Sequence, residues 1–117
     1  MLVVDAHAVV RDGLEVFFSA HDDIELVGKV SRGEEALAFC SGCVPDIVVM
    51  DLVLPGMGGL RTMRTLQQRH PDTRVVILTE SGDKAGINQA LTAGVHGFLL
   101  KDATGDELAD AVRRVQA

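Results

Sequence analysis

The chain has 117 residues, the size of one domain, and its 47% hydrophobic content is enough for one sizeable core. No apolar run approaches the roughly 20 residues that span a bilayer, and an acid at position 5 does not read as part of a signal peptide, so a cytoplasmic location is expected. A net charge of −6 and aromatics limited to four Phe argue against a surface that grips phosphates or stacks on bases.

Short apolar runs alternate with helical patterns along the chain. The first run, Leu2-Val3-Val4, ends at Asp5. Val10, Leu14, Phe17 and Phe18 then share one face at helical spacing. The second run, Ile24-Glu25-Leu26-Val27, is the most polar and reads as an edge strand. Ser31-Arg32-Gly33-Glu34 has the form of a capping box opening the next helix. That helix is expected to end near Cys40, with Gly42 terminating it. Cys40 and Cys43 lack the second Cys or His pair of a zinc site and the helix N-terminal placement of a reactive thiol, so they read as structural.

Ile47-Val48-Val49-Met50 follows and ends at Asp51; Leu60, Met63 and Leu66 mark the face of the third helix. Val75-Val76-Ile77-Leu78 leads to Thr79. A fourth helix is expected over residues 83–93; Gly86 inside it costs about 1 kcal/mol relative to Ala, which makes this helix the expected mobile element. Phe98-Leu99-Leu100 leads to Lys101, and a second capping box, Thr104 to Glu107, opens a last helix with Leu108, Ala111, Val112 and Val115 on one face.

Apolar runs without polar alternation are what a sheet buried on both faces requires. Five βα units with right-handed crossovers therefore predict an α/β doubly wound, five-stranded parallel sheet of strand order 2-1-3-4-5. In that order Asp5, Asp51, Thr79 and Lys101 all reach the carboxyl edge, with the first two flanking the switch point where ligands bind. Two carboxylates, a hydroxyl and an ammonium in one crevice suit phosphoryl transfer to a carboxylate. His21, His70 and His96 read as surface or loop residues for which the sequence offers no partner.

The stretches 3–14 (VVDAHAVVRDGL), 45–60 (PDIVVMDLVLPGMGGL), 74–83 (RVVILTESGD) and 93–102 (AGVHGFLLKD) resemble a bacterial two-component response-regulator receiver domain of the NarL-like (LuxR-type) class. The resemblance covers essentially residues 1–117 and implies a (βα)5 flavodoxin-like fold. It implies that Asp51 accepts a phosphoryl group from a histidine kinase and that no substrate is turned over. It implies a Mg2+ site made by Asp5, Asp51 and the backbone carbonyl of Val53. Thr79 and Lys101 would contact the phosphoryl group, and Phe98 would be the aromatic whose rotamer couples to activation. It further implies a homodimer and, in the full-length protein, a separate C-terminal helix-turn-helix domain that carries the DNA contacts.

Ala6 departs from the pattern. The family has two consecutive acids here, and a methyl group cannot ligate a metal, so Mg2+ is expected to bind weakly or not at all. Two functional readings follow: a phosphorylatable receiver controlling transcription, and a phosphorylation-independent dimerisation or ligand-responsive module. His7 is read as a structural or solvent-facing residue. Gly58, where the family often has Asp or Asn, is expected to add loop freedom, and Glu80 to crowd or repel a phosphoryl group.

Overall fold

The structure is a computed structural model that describes residues 1–80 and 83–116; Ser81 and Gly82 of the 74–83 stretch, and Ala117, lie outside the described residues. The elements run β1 (Leu2–Val4), α1 (Ala8–Ser19), β2 (Gly28–Val30), α2 (Gly33–Gly42), β3 (Ile47–Met50), α3 (Gly59–Arg69), β4 (Arg74–Thr79), α4 (Lys84–Thr92), β5 (Gly97–Leu100) and α5 (Gly105–Gln116). All strand pairs are parallel, in the order β2-β1-β3-β4-β5.

Successive strand side chains point to opposite faces, and this divides the core in two. Leu2, Val4, Val48, Met50, Val75 and Ile77 face Ala36 and Cys40 of α2, Met63 and Leu66 of α3, and Ala90 of α4. Val3, Ile47, Val49, Val76 and Leu78 face Phe18 of α1 and Leu108, Ala109 and Val112 of α5. Burial on both faces is why these runs carry no polar alternation.

The second strand lies downstream of its expected position. Ile24–Val27 precedes it, and the ladder pairs Leu2, Val3 and Val4 with Gly28, Lys29 and Val30. Ile24 is buried against the α1–α5 side, so its hydrophobicity reports packing rather than strand pairing. The strand is at the edge, as expected, and half-buried.

The first capping box is also displaced by one residue. α2 is capped at Arg32, so the third helical residue is Glu35, and its Oε1 accepts from both the N–H (3.2 Å) and the hydroxyl (2.6 Å) of Ser31. Glu34 is left free to accept the N–H of Met57 at 2.6 Å, which ties the β3–α3 loop to α2. The second box forms as expected. Glu107 Oε1 accepts the N–H of Thr104, and Thr104 Oγ1 accepts the N–H of Glu107, both at 3.1 Å. Thr104→Ala should therefore cost about 1 kcal/mol, read as a lowered urea midpoint at unchanged slope.

Gly86 has a positive reason to be in α4. Asp83 caps the helix by accepting the Gly86 N–H at 3.0 Å, and a Cβ on Gly86 would lie 2.4 Å from the Asp83 carboxylate. Gly58 corrects the expectation of extra loop freedom. It sits at φ 79°, ψ 163°, a conformation open essentially to glycine alone, so this residue fixes the entry to α3.

Cys40 is buried in α2 and burial pushes its thiol pKa up, which makes it unreactive; Cys43 is exposed, and both are free. Two histidines have partners that the sequence did not offer. His96 Nδ1 accepts the Val75 N–H at 3.1 Å, and His21 lies 3.1 Å from Arg113 Nη2 and 4.6 Å from the Phe17 ring. Among the described residues no helix is long and apolar enough to cross a membrane.

Candidate functional site

Each charged group of the crevice is delivered by the end of a strand. Asp5 follows β1; its N–H donates to the Val30 carbonyl at 3.1 Å, and its own carbonyl accepts from Arg11 Nη1 at 2.7 Å. Asp51 follows β3 and its N–H donates to the Val4 carbonyl at 3.0 Å. The two residues are thus locked side by side across the β1–β3 pair, and they are only 2% and 3% exposed. Lys101 follows β5, its N–H donating to the Thr79 carbonyl at 2.8 Å.

Lys101 reaches across both carboxylates. Its Nζ lies 2.6 Å from Asp51 Oδ2 and 3.0 Å from Asp5 Oδ2. Burial disfavours the ammonium, but the hydrogen bonds and charges of Asp51 and Asp5 outweigh that and raise its pKa. The Oδ1 atoms have other partners. Asp51 Oδ1 accepts the Val53 N–H at 3.1 Å, and Asp5 Oδ1 accepts the His7 N–H at 2.8 Å while lying 3.1 Å from His7 Nδ1.

Thr79 is the last residue of β4, not the residue after it. It is fully buried, and its hydroxyl oxygen has no hydrogen-bond partner among the described residues. Buried hydroxyls are almost always paired, so this one has hydrogen-bonding capacity to spare. Glu80 beside it is exposed, and so is Ala6. Phe98 lies three residues before Lys101 in β5, half-buried against the α2–α4 core layer rather than among the charged groups.

The structure therefore brings together Asp5, Asp51 and Lys101, as the sequence led one to expect, and adds two residues. Arg11 holds the Asp5 backbone from one turn into α1, and His7 stands at the crevice mouth as the residue that caps α1. The signal for Arg11 was its place on the helix that begins beside Asp5. For His7 it was its separation of two residues from an acid at a strand end.

The donor set fits the family's Mg2+ only in part. Two buried carboxylates are present, but the third is replaced by an exposed methyl, and Lys101 already spans the two that remain. Mg2+ demands near-ideal octahedral oxygen ligation, which this set does not provide from its own side chains.

A doubly wound sheet with two carboxylates, a hydroxyl and a lysine at its switch-point edge defines a receiver domain. The response regulator receiver domain model matches residues 1–113, and the chain belongs to that family. It is 41% identical over 108 residues to the uncharacterized transcriptional regulatory protein YhcZ of Bacillus subtilis, an alignment taking in 92% of this chain and 50% of that protein. It is 34% identical over 113 residues to the transcriptional regulatory protein LiaR of the same organism, covering 97% of this chain and 54% of LiaR. It superposes on the signal receiver domain of NarL from Mycobacterium tuberculosis with a TM-score of 0.90 at 31% identity, over 99% of this chain and 94% of that one. The chain thus spans about half the length of these curated relatives.

Proposed function

We propose that the chain is a phosphorylatable receiver, not an enzyme that turns over a substrate, and that Asp51 is its phosphoacceptor. The observation that carries this reading is the Lys101 bridge, which sets an ammonium 2.6 Å from a buried carboxylate at the switch-point edge. An oxygen of Asp51 attacks phosphorus of a kinase phosphohistidine. The P–O bond forms, the P–N bond breaks, and the imidazole leaves with its electron pair. Lys101 offsets charge on the phosphoryl oxygens, and the orphaned Thr79 hydroxyl donates to one of them. Phe98, half-buried in the strand that precedes Lys101, is the residue through which the α4–β5 region would sense that change.

The relatives named as transcriptional regulators support an output through DNA carried by a separate C-terminal domain, with dimerisation of the receiver as the link. Such a link requires the two phosphorylation states to differ in their affinity for a second copy. Incubation with acetyl phosphate should add the mass of one phosphoryl group, and Asp51→Asn should abolish the addition. Unchanged labelling of the Asn variant would move the acceptor elsewhere. The second reading, a phosphorylation-independent module, rests on Ala6; it would gain if Asp51→Asn left the transcriptional output in cells intact.

A further inference from the structure

We propose that Glu34 is a positioning residue for the phosphoacceptor, its carboxylate clamping the tip of the loop that Asp51 opens. The inference rests on Asp51 being the acceptor and adds to the site a residue from a different part of the chain. Glu34 lies in the first turn of α2, and its Oε1 accepts the Met57 N–H at 2.6 Å across a separation of 23 residues. Arg32 Nε donates to Oε2 at 2.9 Å, so both oxygens are engaged and the carboxylate is held in orientation from its own side of the contact. The Met57 N–H, and then Arg32, hold the Glu34 carboxyl below the usual carboxylate range, so the clamp is ionised at neutral pH.

The loop between β3 and α3 is pinned at its base and at its tip. At the base, Asp51 Oδ1 accepts the Val53 N–H at 3.1 Å, and the Leu52 carbonyl accepts the Gly59 N–H at 3.0 Å. Leu52 and Leu54 turn into the core, while Val53 between them is exposed. Beyond Leu54 the chain is exposed at Pro55 and Gly56 and takes positive φ at Gly56 and Gly58. It is here, where core packing no longer holds the backbone, that Glu34 takes hold. The loop runs close against the clamp. A Cβ on Gly56 would lie 2.4 Å and 2.6 Å from the Glu34 carboxylate oxygens and 2.7 Å from Arg32 Nη2, and one on Gly33 would lie 2.9 Å from Met57 Cγ.

The same stretch of backbone carries a bond to the carboxylate. The Val53 N–H fixes Asp51 Oδ1 and Lys101 holds Oδ2, so the orientation of the nucleophile depends on both. Lys101 is placed by the sheet through its N–H bond to the Thr79 carbonyl. Val53 is placed by the loop, with Leu52 and Leu54 on one side and the clamp on the other. Losing the clamp frees the tip, and that freedom reaches Asp51 through Val53. A nucleophile must meet phosphorus within a narrow range of distance and angle, so small displacements lower the rate steeply. Glu35, in the same helical turn, is the contrast. Its Oε1 accepts from Ser31, so it serves the cap of α2 and not the loop.

Labelling by acetyl phosphate tests this at a temperature where circular dichroism shows every variant folded. Glu34→Ala should lower the labelling rate about tenfold at saturating donor, with the half-saturating donor concentration unchanged. Glu34→Gln should recover most of that loss, because its amide oxygen still accepts the Met57 N–H. Glu35→Ala removes an acid from the same turn and a bond from the helix cap, so it matches the loss of helix stability, yet it should label like the wild type. In amide NMR spectra without phosphodonor, Glu34→Ala should shift the Val53 and Gly59 resonances, and Glu35→Ala should leave them in place. Wild-type labelling by Glu34→Ala, an equal loss in Glu35→Ala, no recovery in Glu34→Gln, or an unmoved Val53 resonance overturns the proposal. A wild type that fails to label, or an Asp51→Asn that labels, defeats the acceptor reading instead, and the amide spectra then decide alone whether Glu34 sets the Asp51 loop.

Discussion

Lys101→Met should destabilise the fold by about 3–5 kcal/mol, the cost of removing one partner from a buried ion pair. The side chain is replaced by one of similar length, so the loss is chiefly electrostatic. Asp5 and Asp51 carry potential ligand atoms within 4.8 Å of each other, and at an effective dielectric near 20 two unit charges at that distance repel by about 3 kcal/mol. In the native protein the ammonium at 2.6 and 3.0 Å offsets that repulsion. Asp51→Asn should act in the opposite direction. It leaves Lys101 paired with Asp5, neutral overall, and should raise stability by about 1–3 kcal/mol, roughly the repulsion it removes. Chemical denaturation at neutral pH gives the order Asp51→Asn, wild type, Lys101→Met from most to least stable. A Lys101→Met protein as stable as the wild type would show that the bridge contributes nothing.

The same contact has a pH signature. The Lys101 pKa is raised in the folded state: burial lowers it, and the bonds and charges of Asp51 and Asp5 more than compensate. The folded state therefore holds the proton more tightly than the unfolded chain. The contribution is fully present below the unfolded lysine value of about 10.4 and is lost as pH rises through the higher folded value. The stability gap between the wild type and Lys101→Met should accordingly close in the alkaline range above about 10.5 and stay open near neutrality.

The sheet order and the convergence of Asp5, Asp51 and Lys101 were legible because both rest on coarse, redundant signals. Runs such as Ile47–Met50 and Val75–Leu78 are buried on both faces, so the absence of alternation says "central parallel strand" several times over. A residue that ends such a run has little choice of location. What was misplaced depends on single-residue register. Ile24–Val27 is as apolar as an edge strand, yet the ladder belongs to Gly28–Val30, because Ile24 is needed as a core anchor. Ser31 pairs with Glu35 rather than Glu34, because the helix starts at Gly33, where a Cβ would lie 1.9 Å from Thr62 Oγ1. Cross-element contacts such as Arg11 to the Asp5 carbonyl, and the His7 ring beside Asp5, depend on how α1 leaves β1, which no local pattern specifies.

Gly59→Ala should cost about 3 kcal/mol or more, at the upper end of what overpacking produces. Gly59 opens α3, and its N–H donates to the Leu52 carbonyl at 3.0 Å. A Cβ there would lie 2.4 Å from the Asp51 carbonyl oxygen, 2.5 Å from Leu52 Cα and 2.7 Å from the Leu52 carbonyl oxygen. All three are backbone atoms, so no rotamer change relieves the contact. The Asp51 end cannot give way easily, because its N–H is bonded to Val4 and β3 is paired on both sides. The helix must move instead, and it carries Met63 and Leu66, both fully buried in the core. Gly13→Ala is the control of opposite sign. Gly13 lies within α1 with open space at its Cβ position, so alanine there should stabilise by about 0.5–1 kcal/mol. Urea denaturation measures both. The proposed phosphoacceptor adds a functional readout. Displacing the Asp51–Leu52 backbone should shift the carboxylate away from Lys101 and slow labelling by acetyl phosphate, whereas Gly13→Ala should label like the wild type. If Gly59→Ala folded and labelled normally, the close approach of α3 to the Asp51 loop could not be what fixes the carboxylate in place.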